Sequence, residues 1–121
     1  MALTSQGKPS RVQSFNVLAD ASAVPHTLYT CPANCRGEVS MLMIVNGDGN
    51  TTVSVTWYDS SAGRNVLILG GKNMVSGEYV LFTGATLVLE SGDRIDITAT
   101  NNSTPYIDSL CTVTETFTPV G

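Results

Sequence analysis

Charged side chains are scarce in this chain: Asp, Glu, Lys and Arg make up 13% of its 121 residues, about half the usual share of a soluble domain. The six cations, Lys8, Arg11, Arg36, Arg64, Lys72 and Arg94, are scattered. The clustered Lys and Arg that grip a nucleic-acid backbone or an anionic bilayer are missing, so neither is an expected partner. Histidine occurs once, at His26, and any triad or general-base chemistry would have to use it. Asp20 and Ser22 lie near it in sequence, but nothing there resembles a nucleophile elbow, and an enzyme is not expected. Cysteine occurs three times, at Cys31, Cys35 and Cys111. An odd count argues against a disulfide framework. No apolar run approaches the roughly 18 residues of a transmembrane helix. The opening Met1-Ala2-Leu3-Thr4-Ser5 lacks the basic and apolar regions of a secretory leader, so a protein made and kept in a cytoplasm, or released by lysis, is expected. No segment keeps a helical period over three turns.

What is present is strand pattern. Hydrophobic residues make up 42% of the chain, enough for one core. Val39, Met41, Met43 and Val45 alternate, as do Val53, Val55 and Trp57, then Leu87 and Leu89, then Ile95, Ile97 and Ala99, then Cys111, Val113 and Glu115. Turn signals separate them: Asn46-Gly47-Asp48-Gly49, Asp59-Ser60-Ser61-Ala62-Gly63, Gly70-Gly71, Ser91-Gly92-Asp93 and Asn101-Asn102-Ser103. Short strands at this spacing predict an all-β, antiparallel β-sandwich of jelly-roll or immunoglobulin-like type, with eight or nine strands. Residues 1–12, polar and containing Gly7 and Pro9, read as an extended arm. Residues 13–121 read as a single sandwich domain with a first strand from Gln13. Gly70-Gly71 is expected to break one strand, and Gly84 to separate two others. Arg36 to Asn46 is the longest strand, apolar on both faces, with Val39/Met41/Met43/Val45 on one side and Ser40/Leu42/Ile44 on the other. That marks a central strand or one covered by a partner. Trp57 continues the Val53/Val55 face and is expected in the core.

The residues able to carry chemistry have plainer readings. His26, Cys31, Cys35 and Cys111 could supply four zinc ligands, but one would come from a distant strand and no second Cys-x-x-Cys pair exists. Free thiols are expected, with a disulfide between two of them the lesser alternative. Glu90, Asp93 and Asp96 form a small acidic group, suited in principle to glycoside hydrolysis or calcium. Gly92-Asp93 reads more simply as a turn. Asn46-Gly47-Asp48-Gly49-Asn50 resembles half a calcium loop without the alternating acids. Tyr58, facing away from Trp57, could stack on a sugar.

Three segments taken in order carry a resemblance. Tyr29-Thr30-Cys31-Pro32-Ala33-Asn34 leads into the strand ending at Val45-Asn46. Thr52-Val53-Ser54-Val55-Thr56-Trp57-Tyr58-Asp59 follows, and later Leu87-Val88-Leu89-Glu90-Ser91-Gly92-Asp93-Arg94-Ile95. This order resembles small structural proteins of tailed bacteriophages, above all those of phages infecting marine bacteria and cyanobacteria. It covers about residues 26–118. Cys31 and Cys35, which flank Pro32, depart from the pattern. The resemblance implies a β-sandwich in the virion, as a head decoration or cement subunit or as a neck or tail accessory, and it offers no catalytic residue to carry over. The expected partners are the major capsid protein or other virion proteins, and further copies of the chain, with no cofactor. The expected location is the virion, assembled in the host cytoplasm. Lys8, Pro9, Arg11, Leu42, Ile44 and Tyr58 are the candidate interface residues. A carbohydrate-binding module using Tyr58 or Tyr79 is the alternative from another class.

Overall fold

The computed structural model describes residues 10–19, 24–47, 49–100 and 107–117, without the side chains of 85 and 86. Eight strands run β1 (Ser10–Ala19), β2 (His26–Thr30), β3 (Cys35–Asn46), β4 (Thr51–Asp59), β5 (Arg64–Met74), β6 (Tyr79–Leu89), β7 (Arg94–Thr100) and β8 (Ile107–Phe117). Among the described residues no helix is long and apolar enough to cross a membrane.

The pairing is nested. The first strand pairs with the last, the second with the seventh, the third with the sixth and the fourth with the fifth, all antiparallel. Two further pairings, β3 with β8 and β4 with β7, wrap this ribbon into sheets of order β1-β8-β3-β6 and β2-β7-β4-β5. That wiring is a jelly roll, which settles the choice against the immunoglobulin-like arrangement.

The long strand β3 is central, between β8 and β6, as its two apolar faces predict. The faces differ from simple alternation, however. Ser40 is an extra residue, because Val39 pairs with Val113 and Met41 already pairs with Thr112. A bulge of this kind shifts the phase of side chains by one. Cys35, Gly37 and Val39 point inward before it, and Leu42, Ile44 and Asn46 after it. Leu42 and Ile44, expected at an interface, are therefore core residues, 4% and 0% exposed.

Three boundaries also move. β1 starts at Ser10, three residues before the expected Gln13, because Arg11 is tied into the sandwich by a buried carboxylate. Lys8 and Pro9 lie outside the described residues. β5 continues through Gly70-Gly71 to Met74: Gly71 adopts φ +62°, the strand absorbs the glycines in a bulge between the partners of Val53 and Val55, and a second bulge at Ile68 lies between the partners of Val55 and Thr56. Gly84, at φ +80°, likewise bends β6 without ending it, so the two expected strands are one and the described residues hold eight strands.

Candidate functional site

Two polar clusters hold the sandwich, and part of one outer face carries little charge. The first cluster lies where β1, β2, β3 and β8 meet. Glu115 stands in phase with Ile107, Cys111 and Val113 on β8, so it points inward and is 1% exposed. Its carboxylate accepts hydrogen bonds from Arg11 Nε and from the Tyr29 hydroxyl, each at 2.7 Å. Arg11 belongs to one sheet with Glu115, and Tyr29 to the other, so the carboxylate staples the two sheets together. The Arg11 guanidinium also lies 5.0 Å from the centre of the Phe117 ring, and Phe15 packs on Tyr29 at 4.8 Å. A side chain at Gly37 would begin 2.7 Å from the Tyr29 hydroxyl oxygen, so glycine is needed there for close approach. Burial pushes the Tyr29 phenol far above its usual range, and the bond to Glu115 pushes it further.

Cys31 and Cys35 sit at this end, both buried and free. Cys31 Sγ donates to the Cys35 carbonyl oxygen at 3.3 Å. Burial raises the Cys31 thiol to about 11, with a bond to Tyr29 offsetting part of the rise. Burial raises Cys111 to about 11 as well. Thiols held protonated in this way are poor nucleophiles and poor metal ligands. The structure brings Cys31 and Cys35 together but leaves His26 and Cys111 apart from them, and among the described residues no three His, Cys, Asp or Glu side chains group as a metal site.

The second cluster is Asp93, 3% exposed. Its Oδ1 accepts from the Ser60 N–H and hydroxyl, both at 2.9 Å, and its Oδ2 from the Glu90 N–H at 2.9 Å. Cys31 N–H donates to its backbone oxygen at 2.8 Å. The carboxylate thus joins the β4–β5 turn to the β6–β7 turn, and the backbone oxygen of the same residue ties in the segment that follows β2. Burial works against the charged form, but the hydrogen bonds from Glu90 and Ser60 outweigh it, and Asp93 titrates below its ordinary value. Asp96 is engaged separately, by Thr27 at 2.8 Å and Arg94 at 2.9 Å. The acidic group is structural. Tyr58 is half-buried under the Arg94 guanidinium, 4.3 Å from the ring centre, so one face of this ring is already covered.

The outer face of the β1-β8-β3-β6 sheet is different. Strand register aligns three rows across it: Ser14–Thr112–Met41–Thr83, Asn16–Leu110–Met43–Leu81 and Leu18–Asp108–Val45–Tyr79. Asp108 is the one charged residue in these rows. Leu18, Leu81 and Tyr79 are 52%, 47% and 59% exposed, and Met41, Met43, Val45 and Leu110 are half-buried. The opposite outer face, with Thr52, Ser54, Thr56, Arg94 and Thr98, is the polar one. The sequence reading chose the wrong face of β3, because the phase change at Ser40 leaves no mark in the hydrophobic pattern. The alternation of Leu81 with Tyr79 was the available signal for this surface.

No protein-family model matches the chain, and no curated protein matches it. Solved structures do. A chain of the T=1 particle derived from infectious bursal virus matches with TM-score 0.51 at 13% identity, over 93% of this chain and 32% of that one. A chain from Bacillus endospore appendages, described as disulfide-linked pili, gives TM-score 0.48 at 14% identity, over 98% and 97%. The capsid asymmetric unit of cyanophage Pam1 gives 0.44 at 15% identity, over 98% and 91%. The bursal virus match marks a shared fold, in which this chain spans about a third of its counterpart. The other two fall below that level.

Proposed function

We propose that this chain is a non-enzymatic structural subunit of a virus particle, and more narrowly a decoration or cement subunit on the capsid of a tailed bacteriophage. The observation that carries the reading is the outer face of the β1-β8-β3-β6 sheet. Its three rows present Leu18, Leu81 and Tyr79 to solvent beside half-buried Met41, Met43 and Leu110, with Asp108 alone charged. A surface depleted of charge and bearing Met and Tyr has the composition of an interface centre. The jelly-roll wiring, which viral capsid domains use widely, supports the same reading, as does the low charge of the whole chain. The partner is the major capsid protein or another virion protein, and the location is the virion. A neck or tail position uses the same surface.

The test is purification of intact particles and measurement of this chain's stoichiometry to the major capsid protein, followed by rebinding to stripped heads and tails. A fixed ratio with rebinding to heads is the expected result. Absence from particles and failure to rebind either structure would end the virion reading. The carbohydrate-binding alternative keeps only Tyr79 as a freely exposed ring, since Tyr58 is already stacked with Arg94.

A further inference from the structure

We propose that Cys31 and Cys35 form an oxidation-closed lock: a peroxide joins their sulfurs in a disulfide that clamps the turn between β2 and β3, where the chain crosses from one sheet to the other. The structure shows the open, reduced state, with both thiols buried and free. The lock belongs to the chain itself and does not depend on a place in a virion.

Cys31 follows the last residue of β2 and Cys35 opens β3, with Pro32-Ala33-Asn34 between them. The two strands lie in different sheets, so this short connection is a corner of the sandwich. Asn34 takes the left-handed conformation there, at φ 57°. Both cysteine backbones are held. Cys31 N–H donates to the Asp93 carbonyl oxygen at 2.8 Å, and the Cys31 carbonyl accepts from the Gly92 N–H at 3.0 Å. Cys35 pairs with Phe117 on β8. Across the turn, Cys31 Sγ lies 3.3 Å from the Cys35 carbonyl oxygen. Backbone bond lengths then put the Cys35 Cα within about 6 Å of that sulfur, and a disulfide joins residues whose Cα atoms are within about 7 Å. Burial is the main cause of the raised Cys31 thiol, but charge on Cys35 and a hydrogen bond with its side chain add to it, so the two side chains are within reach of each other. Cys111 is not. It lies six residues before Phe117, the partner of Cys35, which is about 20 Å of strand.

The two thiols give up two electrons and two protons, and hydrogen peroxide takes them up to become two waters. Cys31 Sγ attacks one peroxide oxygen as the thiolate. The O–O bond breaks, and the departing hydroxide takes the thiol proton as the first water. Cys35 Sγ then attacks the Cys31 sulfenic acid, the S–S bond forms, the S–O bond breaks and the second water leaves with the Cys35 proton. Peroxide is the oxidant class that the site admits, since both side chains are buried and a bulkier disulfide reagent would have to open the fold first. Burial holds the Cys31 thiol protonated, so closure is slow. A slow lock stays open where reductant is plentiful and closes on lasting exposure to an oxidising medium. Closure gives up the contacts of Cys31 Sγ with the Cys35 and Leu89 carbonyl oxygens, at 3.3 and 3.6 Å, which are weak because a thiol is a weak donor. In return the unfolded chain keeps a closed loop at this corner and loses entropy.

The test uses the isolated full chain, purified with reductant and then held in hydrogen peroxide. Trypsin releases residues 12–36 as one peptide carrying both cysteines, with Cys111 on another. The expected result is loss of two hydrogen masses from the 12–36 peptide, with Cys111 still open to alkylation after unfolding. The oxidised chain should melt about 5 °C higher and return to its starting midpoint on reduction. Cys35→Ser should keep the fold, and peroxide should then neither remove two hydrogens from the peptide nor raise the midpoint. Alkylation of both cysteines after peroxide, added oxygen on either sulfur in place of a link, a link to Cys111 or to a second chain, or a linked chain that melts no higher overturns the lock. The link is read on the unaltered chain, so these outcomes decide the matter even if Cys35→Ser does not fold.

Discussion

Glu115 shows what single residues decide here. It is a full charge in the interior, held by Arg11 and Tyr29, and a buried charge is tolerated only when it is paired. Tyr29→Phe removes one of its donors and should lower stability by about 2 kcal/mol, the scale of a hydrogen bond to a charged group, measured as a shift in urea midpoint at constant slope. Gly37→Ala should destabilise through the same hydroxyl, since a Cβ there meets it at 2.7 Å. In a Tyr29→Phe background that loss should shrink, and a double-mutant cycle reads the coupling. Additive losses would mean that Gly37 matters for another reason. Asp93 supplies a pH dependence. Its folded-state value is depressed below the ordinary 3.8, so its contribution is complete above that value and is lost as pH falls through the lower folded value. Asp93→Asn should destabilise at neutral pH and flatten the acid limb of the stability curve; an unchanged acid limb would remove the carboxylate from that role.

At the scale of the element, β3 carries a specific consequence. Because Ser40 is surplus to the pairing with β8, its deletion restores regular alternation, with Val39 in, Met41 out and Leu42 in. Deletion of Met43 instead turns Ile44 and Asn46 outward. Asn46 is fully buried and donates to the Gly49 and Met74 carbonyl oxygens at 2.6 and 3.0 Å. The Ser40 deletion should therefore melt as a cooperative β domain and the Met43 deletion should not fold, as followed by circular dichroism. Equal damage from both would mean that the bulge itself is required. On β4, Trp57 continues the inward Val53/Val55 face but is half-buried, so Trp57→Ala should cost about 3 kcal/mol, the low end for a large aromatic. A loss under about 1 kcal/mol would place the ring outside the core.

For the whole molecule the nested wiring has kinetic and functional consequences. Each pairing of strands one to eight, two to seven and three to six closes a long loop, so folding should be slow for a chain of this size. The apolar rows of the outer face separate stability from association. Leu81→Lys should shift stability by no more than about 0.5 kcal/mol, as exposed substitutions do, yet abolish rebinding to stripped particles. Full rebinding by this variant would remove that face from the proposed interface.

The strands, the turns at Gly92 and Asn34, the inward residues of β4, β7 and β8 and the sandwich class were legible in the sequence, because period-two alternation and turn chemistry act between near neighbours in the chain. The jelly-roll order, the phase change at Ser40, the fusion of two expected strands through Gly84, the burial of Glu115 beside Tyr29 and the location of the exposed apolar rows were not. Each depends on which distant strand lies alongside, and pairing partners separated by most of the chain are chosen by packing of the whole core rather than by any local pattern. Leu42 and Ile44 show the division: their apolar character was plain from the sequence, but only pairing with β8 decided which side of the sheet they face.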